Sequence, residues 1–137
     1  MEDLQYEYDM SALVLGQNLI SGKWTIFILW SLSKGKKRFK ELHNFLRHTS
    51  RSMLTKQLQE LEHNGLIQRD VYGEVPVRVE YSLTEIGEKL IPVLYALSDW
   101  SKEYVTYFKE DGMSDVDFLR EAFIKDKYKY YKDYPSV

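Results

Sequence analysis

The most regular hydrophobic spacing in the chain is Leu54, Leu58 and Leu61, which recur at four and three residues. That period predicts an amphipathic helix opening after Ser50, a hydroxyl residue suited to cap the first free N–H groups, and ending at Gly65. The opposite face of this helix carries Arg51, Ser52, Thr55, Lys56 and Gln59, all able to hydrogen-bond and none requiring burial. Past Gly65 the period changes. L-I-Q-R-D-V-Y alternates loosely, G-E-V-P-V supplies a turn, and R-V-E-Y-S-L places Val79, Tyr81 and Leu83 on one side. Two short strands joined by a Gly/Pro-containing tip are expected, and Pro76 is tolerated there because the tip needs no ladder bond.

Upstream, the pattern predicts three further helices. Ser11 is the expected cap of A-L-V-L-G-Q-N-L-I, and Ser21-Gly22 breaks the chain. In K-W-T-I-F-I-L-W-S-L-S, Trp24, Phe27, Ile28 and Leu32 follow helical spacing and are expected to face the core, with Ile26 and Trp30 to the side. Lys34-Gly35-Lys36 ends that helix, Gly35 taking the left-handed cap. A third helix over R-F-K-E-L-H-N-F-L aligns Phe39, Leu42 and Leu46.

Downstream, Thr84 is the expected cap of a long helix to Phe108, bent near Pro92 and closed by Asp111-Gly112. Its stripe runs through Ile86, Leu90, Val93/Leu94, Leu97, Trp100/Ser101, Tyr104 and Phe108. This is more apolar face than one small domain covers. A second copy of the same helix, joined by the first helix, is the simplest cover. Tyr95, Trp100 and Tyr104 are read as interface packing, with a ligand pocket among them as the alternative. Ser114 caps a last helix to about Lys125, and the Tyr/Lys run beyond it reads as a tail.

The fold class that follows is mainly α with a small β-hairpin (α+β): a winged helix-turn-helix with extra N- and C-terminal dimerisation helices. Residues 1–112 form the winged-helix domain with its dimerisation helices, and 113–137 a C-terminal extension. A length of 137 residues accommodates one such domain.

Charge distribution sharpens this picture. The formal net charge is −2, yet between Lys34 and Asp70 there are nine Lys or Arg against four Asp or Glu. The first ten residues hold four acids and no Lys or Arg, and the stretch from Val71 onward is also net acidic. A basic island between acidic flanks suits a surface that follows phosphates. Lys36, Lys37 and Arg38 are either a solvated helix end or a phosphate clamp. Arg78, at the mouth of the hairpin, either reaches a phosphate or minor groove or pairs with Glu74 or Glu80.

Other chemistries find little support. With no cysteine, disulfides, thiolate metal sites and cysteine nucleophiles are excluded. His43, His48 and His63 lack ligand spacing, so no metal is expected. No nucleophile–base pair or phosphate-cradling glycine loop argues for an enzyme, and no cofactor is implied. The acidic start lacks the basic and apolar regions of a signal peptide, and the apolar run near Thr25–Trp30 is too short to span a bilayer. A cytoplasmic protein without a membrane role is expected.

Four stretches resemble the HxlR family of small bacterial transcription factors. They are G-K-W at 22–24 with an apolar helix ending I-L-W, G-K-K-R-F-K-E-L at 35–42, S-x-x-M-L-T-x-Q-L-x-E-L-E-x-x-G-L at 50–66, and V-P-V-R-V-E-Y-S-L-T-E-I-G at 75–87. The resemblance spans about residues 12–105 and implies a DNA-binding homodimer joined through its terminal helices. The expected function is a sequence-specific transcriptional regulator on a palindromic operator. The competing reading is a winged-helix protein-interaction module without specific DNA binding. Expected DNA contacts are Lys36, Lys37, Arg38, Ser50, Arg51, Ser52, Thr55, Lys56, Gln59 and Arg78, with double-stranded DNA as partner and any small-molecule effector unidentified. Two departures stand out. Many relatives carry a sensing cysteine just before the first helix, whereas Tyr8 to Ser11 hold none here. The wing tip has Gly73 and Val77 around Glu74-Val75-Pro76 where relatives often have additional proline.

Overall fold

A computed structural model describes residues 1–124. Elements follow in the order α1 (Glu2–Ile20), α2 (Thr25–Leu32), α3 (Phe39–Phe45), α4 (Arg51–His63), β1 (Ile67–Tyr72), β2 (Arg78–Leu83), α5 (Glu85–Phe108) and α6 (Asp115–Ile124). The chain divides between Lys89 and Leu90, inside α5, into two compact units.

The first unit is built around α2. Sequence spacing placed one stripe of this helix inward, but Leu29 and Ile28 are both fully buried, and Thr25, Ser31, Leu32 and Trp24 nearly so. A helix apolar nearly all round is a core helix rather than a surface one. Phe27, expected inward, is only half-buried. Leu42 and Leu46 of the α3 region, Leu54, Leu58 and Leu61 of α4, and Leu66 and Ile67 complete this unit's core. Each such side chain contributes about 1.5–3 kcal/mol through removal from water.

Helix ends explain how α4 is set. The Ser50 hydroxyl accepts the Met53 N–H at 3.1 Å, as its position predicts. At the other end Gly65 adopts φ +75°. The Leu66 N–H then reaches back to the Leu61 carbonyl and the Gly65 N–H to Glu62, each at 3.0 Å. This Schellman closure satisfies two otherwise orphaned carbonyls, and both Leu61 and Leu66 are buried. The chain enters β1 directly from it.

The hairpin is antiparallel, with Ile67 opposite Leu83 and Tyr72 opposite Arg78. Its second strand has another neighbour: Lys37 and Tyr81 exchange backbone hydrogen bonds at 3.0 and 2.8 Å. Thr84 caps α5, accepting the Gly87 N–H at 3.1 Å while donating to the Gly65 carbonyl at 2.6 Å. Gly87 passes so close to the Leu66 carbonyl oxygen that a Cβ would collide with it.

Two expectations about helix ends are corrected. Ser11 is not a cap; it lies mid-helix and exposed, because α1 begins at Glu2. No glycine or proline interrupts residues 2–10. Glu2 and Asp3 suit the positive helix start, and Gln5 bonds Asp9 one turn on at 3.0 Å. Gly35 has φ +133°, beyond the helical left-handed basin, so the turn after α2 is not the left-handed cap expected.

In the second unit, α5 continues past Pro92, which lies within the helix and has no N–H to donate. Ser114 caps α6 through the Asp117 N–H at 3.1 Å, as its position predicts. Tyr104 is the hub of a ring cluster, 5.7 Å from Trp100, 4.7 Å from Phe108 and 6.5 Å from Phe118. The expected tail beyond 124 lies outside the described residues.

Candidate nucleic-acid interface

The candidate surface starts with α4. Its leucine stripe is at most 2% exposed, so the helix is fixed in rotation. Arg51, Ser52, Thr55, Lys56 and Gln59 are consequently all exposed, on the face the spacing predicts. Not all of their polar atoms are free. Thr55 donates its hydroxyl proton back to the Arg51 carbonyl at 2.8 Å, leaving oxygen lone pairs outward. Ser50, also exposed, is engaged in the cap and lies 3.2 Å from the Ser52 hydroxyl.

Gln57 falls outside the predicted polar face, and the structure shows why. It is buried on the core side and its Oε1 accepts the Thr25 hydroxyl at 3.1 Å, fastening α4 to the start of α2. Spacing three residues from Leu54 carries the signal for its burial; its partner, 32 residues away, has no local signal.

The basic turn precedes α3. Lys36 and Arg38 are exposed and Lys37 is half-buried, its backbone joined to Tyr81 of β2. The Arg38 N–H is taken by the Glu41 carboxylate at 3.0 Å, which starts α3 and leaves the Arg38 guanidinium for other partners. The turn and the hairpin are therefore one backbone unit.

Arg78 takes the second of its two expected arrangements. Its guanidinium lies 3.2 Å from Glu74 and 3.6 Å from Glu80, and sits 4.2 Å from the Tyr72 ring centre. These contacts hold it against the wing rather than extended from it.

Arg69 was absent from the sequence reading. It stands exposed opposite Tyr81 and shares a cleft with Thr55, Leu58, Gln59, Glu62 and Tyr81. A period-two count from buried Ile67 would have found it, since residues 67 and 69 point to one face of the strand. Among the described residues no cluster of three or more His, Asp or Glu has metal-holding geometry.

A buried-stripe helix following a short helix and turn, presenting a polar and basic face beside a two-stranded hairpin, defines a winged helix-turn-helix DNA-binding transcriptional regulator. The family model described as HxlR-like helix-turn-helix matches residues 19–108. The chain belongs to this family. An uncharacterised HTH-type transcriptional regulator of Methanothermobacter thermautotrophicus is 41% identical over 111 residues, covering 81% of this chain and 85% of that protein. The crystal structure of ytcD, a putative HTH-type regulator, is 40% identical with a TM-score of 0.66, covering 69% of this chain and 96% of that one. The redox regulator HypR in its reduced form is 38% identical with a TM-score of 0.65, covering 67% and 91%.

Proposed function

We propose that this regulator acts as a homodimer on a palindromic operator, with α4 reading the major groove of double-stranded DNA. The observation that carries the reading is the fixed rotation of α4: its leucines are buried and its hydrogen-bonding face is outward. Arg51, Ser52, Thr55, Lys56 and Gln59 are the base-edge and phosphate contacts, and Ser50 lies at the helix start. Lys36, Lys37 and Arg38 engage the flanking backbone as a unit with the hairpin. Arg78 reaches DNA by exchanging the exposed Glu74 carboxylate for phosphate, an inexpensive exchange because an exposed ion pair contributes at most about 1 kcal/mol.

Dimerisation is supported by apolar surface that the single chain leaves open. Leu4, Leu13 and Leu15 of α1 and Ile86, Leu97, Trp100 and Phe108 of α5 are all exposed. Residues 1–112 then serve as DNA-binding domain with dimerisation helices, and 113–137 as an extension. The protein is a binding protein rather than an enzyme. Among the described residues no single helix is long and apolar enough to cross a membrane, which fits action in the cytoplasm.

Selection of bound duplexes from a random pool, followed by salt titration, tests the reading. A palindrome is expected, with half-site centres about 10 bp or a multiple apart. Changing both Lys36 and Lys37 to Gln flattens the slope of log K against log salt by roughly 0.9 per lost contact, without changing the preferred sequence. Arg51→Ala and Lys56→Ala weaken binding and relax preference. No salt-dependent duplex binding and no preference among sequences would instead favour the protein-interaction module.

A further inference from the structure

The helix start chosen for Arg51 is electrostatically awkward. It is the first residue of α4, where the helix dipole is positive, and the first turn contains no acid to offset it. Its guanidinium is nevertheless not loose in solvent. It lies 4.9 Å from the ring centre of Phe39 on α3. Phe39 in turn stacks on His43, one turn along the same helix, with ring centres 6.1 Å apart and planes 28° from parallel. The His43 Nε2 donates to the Thr49 carbonyl at 3.0 Å, in the turn that leads into α4. The series of contacts closes on itself: turn, imidazole, phenyl ring, guanidinium, helix start.

We propose that Phe39 is a positioning residue for Arg51, its ring forming a shelf, backed by His43, that orients the guanidinium before DNA arrives. This rests on the reading of α4 as the DNA-reading helix. Phe39 is half-buried, with the Arg51 guanidinium 4.9 Å from its ring centre, while the buried anchoring of its segment is done by Leu42 and Leu46. A planar guanidinium stacked on an aromatic face keeps its N–H edges free for a guanine or a phosphate. Because one rotamer is already favoured, less freedom is lost on docking. An anion at this position also meets the exposed start of α4, so the unfavourable placement of Arg51 in the free protein becomes favourable in the complex.

The test is a double-mutant cycle on the selected operator duplex, using Phe39→Leu, Arg51→Ala and the pair. Phe39→Leu is expected to weaken binding roughly two- to five-fold when Arg51 is present, the strength of an exposed cation–π contact, and to have almost no effect with Arg51→Ala. Phe39→Trp, which keeps an aromatic face, retains wild-type affinity. Equal losses from Phe39→Leu in both backgrounds would make Phe39 a structural residue and overturn the shelf. If Arg51→Ala itself leaves operator binding unchanged, the reading of α4 has failed and the shelf has no DNA contact to position. An independent check uses the free wild-type protein. The Arg51 side-chain protons should show upfield ring-current shifts in NMR that Phe39→Leu abolishes, and normal wild-type shifts would reject the shelf without any DNA experiment.

Discussion

Helices α4 and α5 both carry an apolar stripe at helical spacing, yet they use it in opposite ways. In α4 the chain covers its own stripe, with Leu54, Leu58 and Leu61 almost wholly buried, so the surface left over is polar and basic. In α5 the buried apolar side chains are Leu94 and Val105, whereas Ile86, Val93, Leu97, Trp100, Tyr104 and Phe108 stay exposed. The same local pattern therefore specifies two different surfaces. What distinguishes them is which face the rest of the chain can reach, and the remaining face is what the proposed function assigns to a partner: nucleic acid for α4, a second copy for α5.

The sharpest way to break this contrast is truncation of one leucine from each stripe. Leu58→Ala should lower folding stability by about 2–5 kcal/mol, measured by denaturant unfolding. Leu97→Ala should change it by under about 0.5 kcal/mol at concentrations where the chain is monomeric, while shifting the monomer–dimer balance seen in sedimentation. Equal losses of folding stability would mean that α5 is covered within its own chain and would remove the argument for dimerisation.

The bond between Thr25 and Gln57 gives a smaller and more selective effect. Gln57→Leu leaves a buried hydroxyl without its partner and should cost about 1–3 kcal/mol. Combining it with Thr25→Val should recover much of that loss, because neither polar group then remains. A strictly additive double variant would show that the two side chains stabilise independently. Smallest is Ser50→Ala, expected to cost about 1 kcal/mol by freeing the Met53 N–H. The unfolding midpoint measures it, and an unchanged midpoint would mean the cap is replaced by water.

Much of α4 and the hairpin was legible in the sequence because their determinants are local. Ser50, Gly65 and Thr84 mark boundaries through bonds spanning a few residues, and the leucine spacing fixes a face whatever packs on it. The start of α1 was misread because Ser11 satisfies the rule for a cap, while the uninterrupted helical run before it had no comparable signal. Leu29 was missed since a single-stripe pattern cannot describe a helix surrounded on all sides. The Thr25–Gln57 bond, the Lys37–Tyr81 bridge and the approach of Arg51 to the Phe39 ring all depend on tertiary approach, for which spacing gives no measure. Arg78 lies between these cases: its carboxylate partners were visible as neighbours, but their hold on it was one of two open arrangements.

The pair of backbone bonds between Lys37 and Tyr81 has a consequence for how tightly this surface can grip. Two separate loops landing on a duplex would each surrender their own freedom of movement. Joined in this way, the turn and the hairpin would act on the proposed duplex as the two prongs of one tool: with either on the sugar-phosphate rail, the other would already be at high effective concentration beside it.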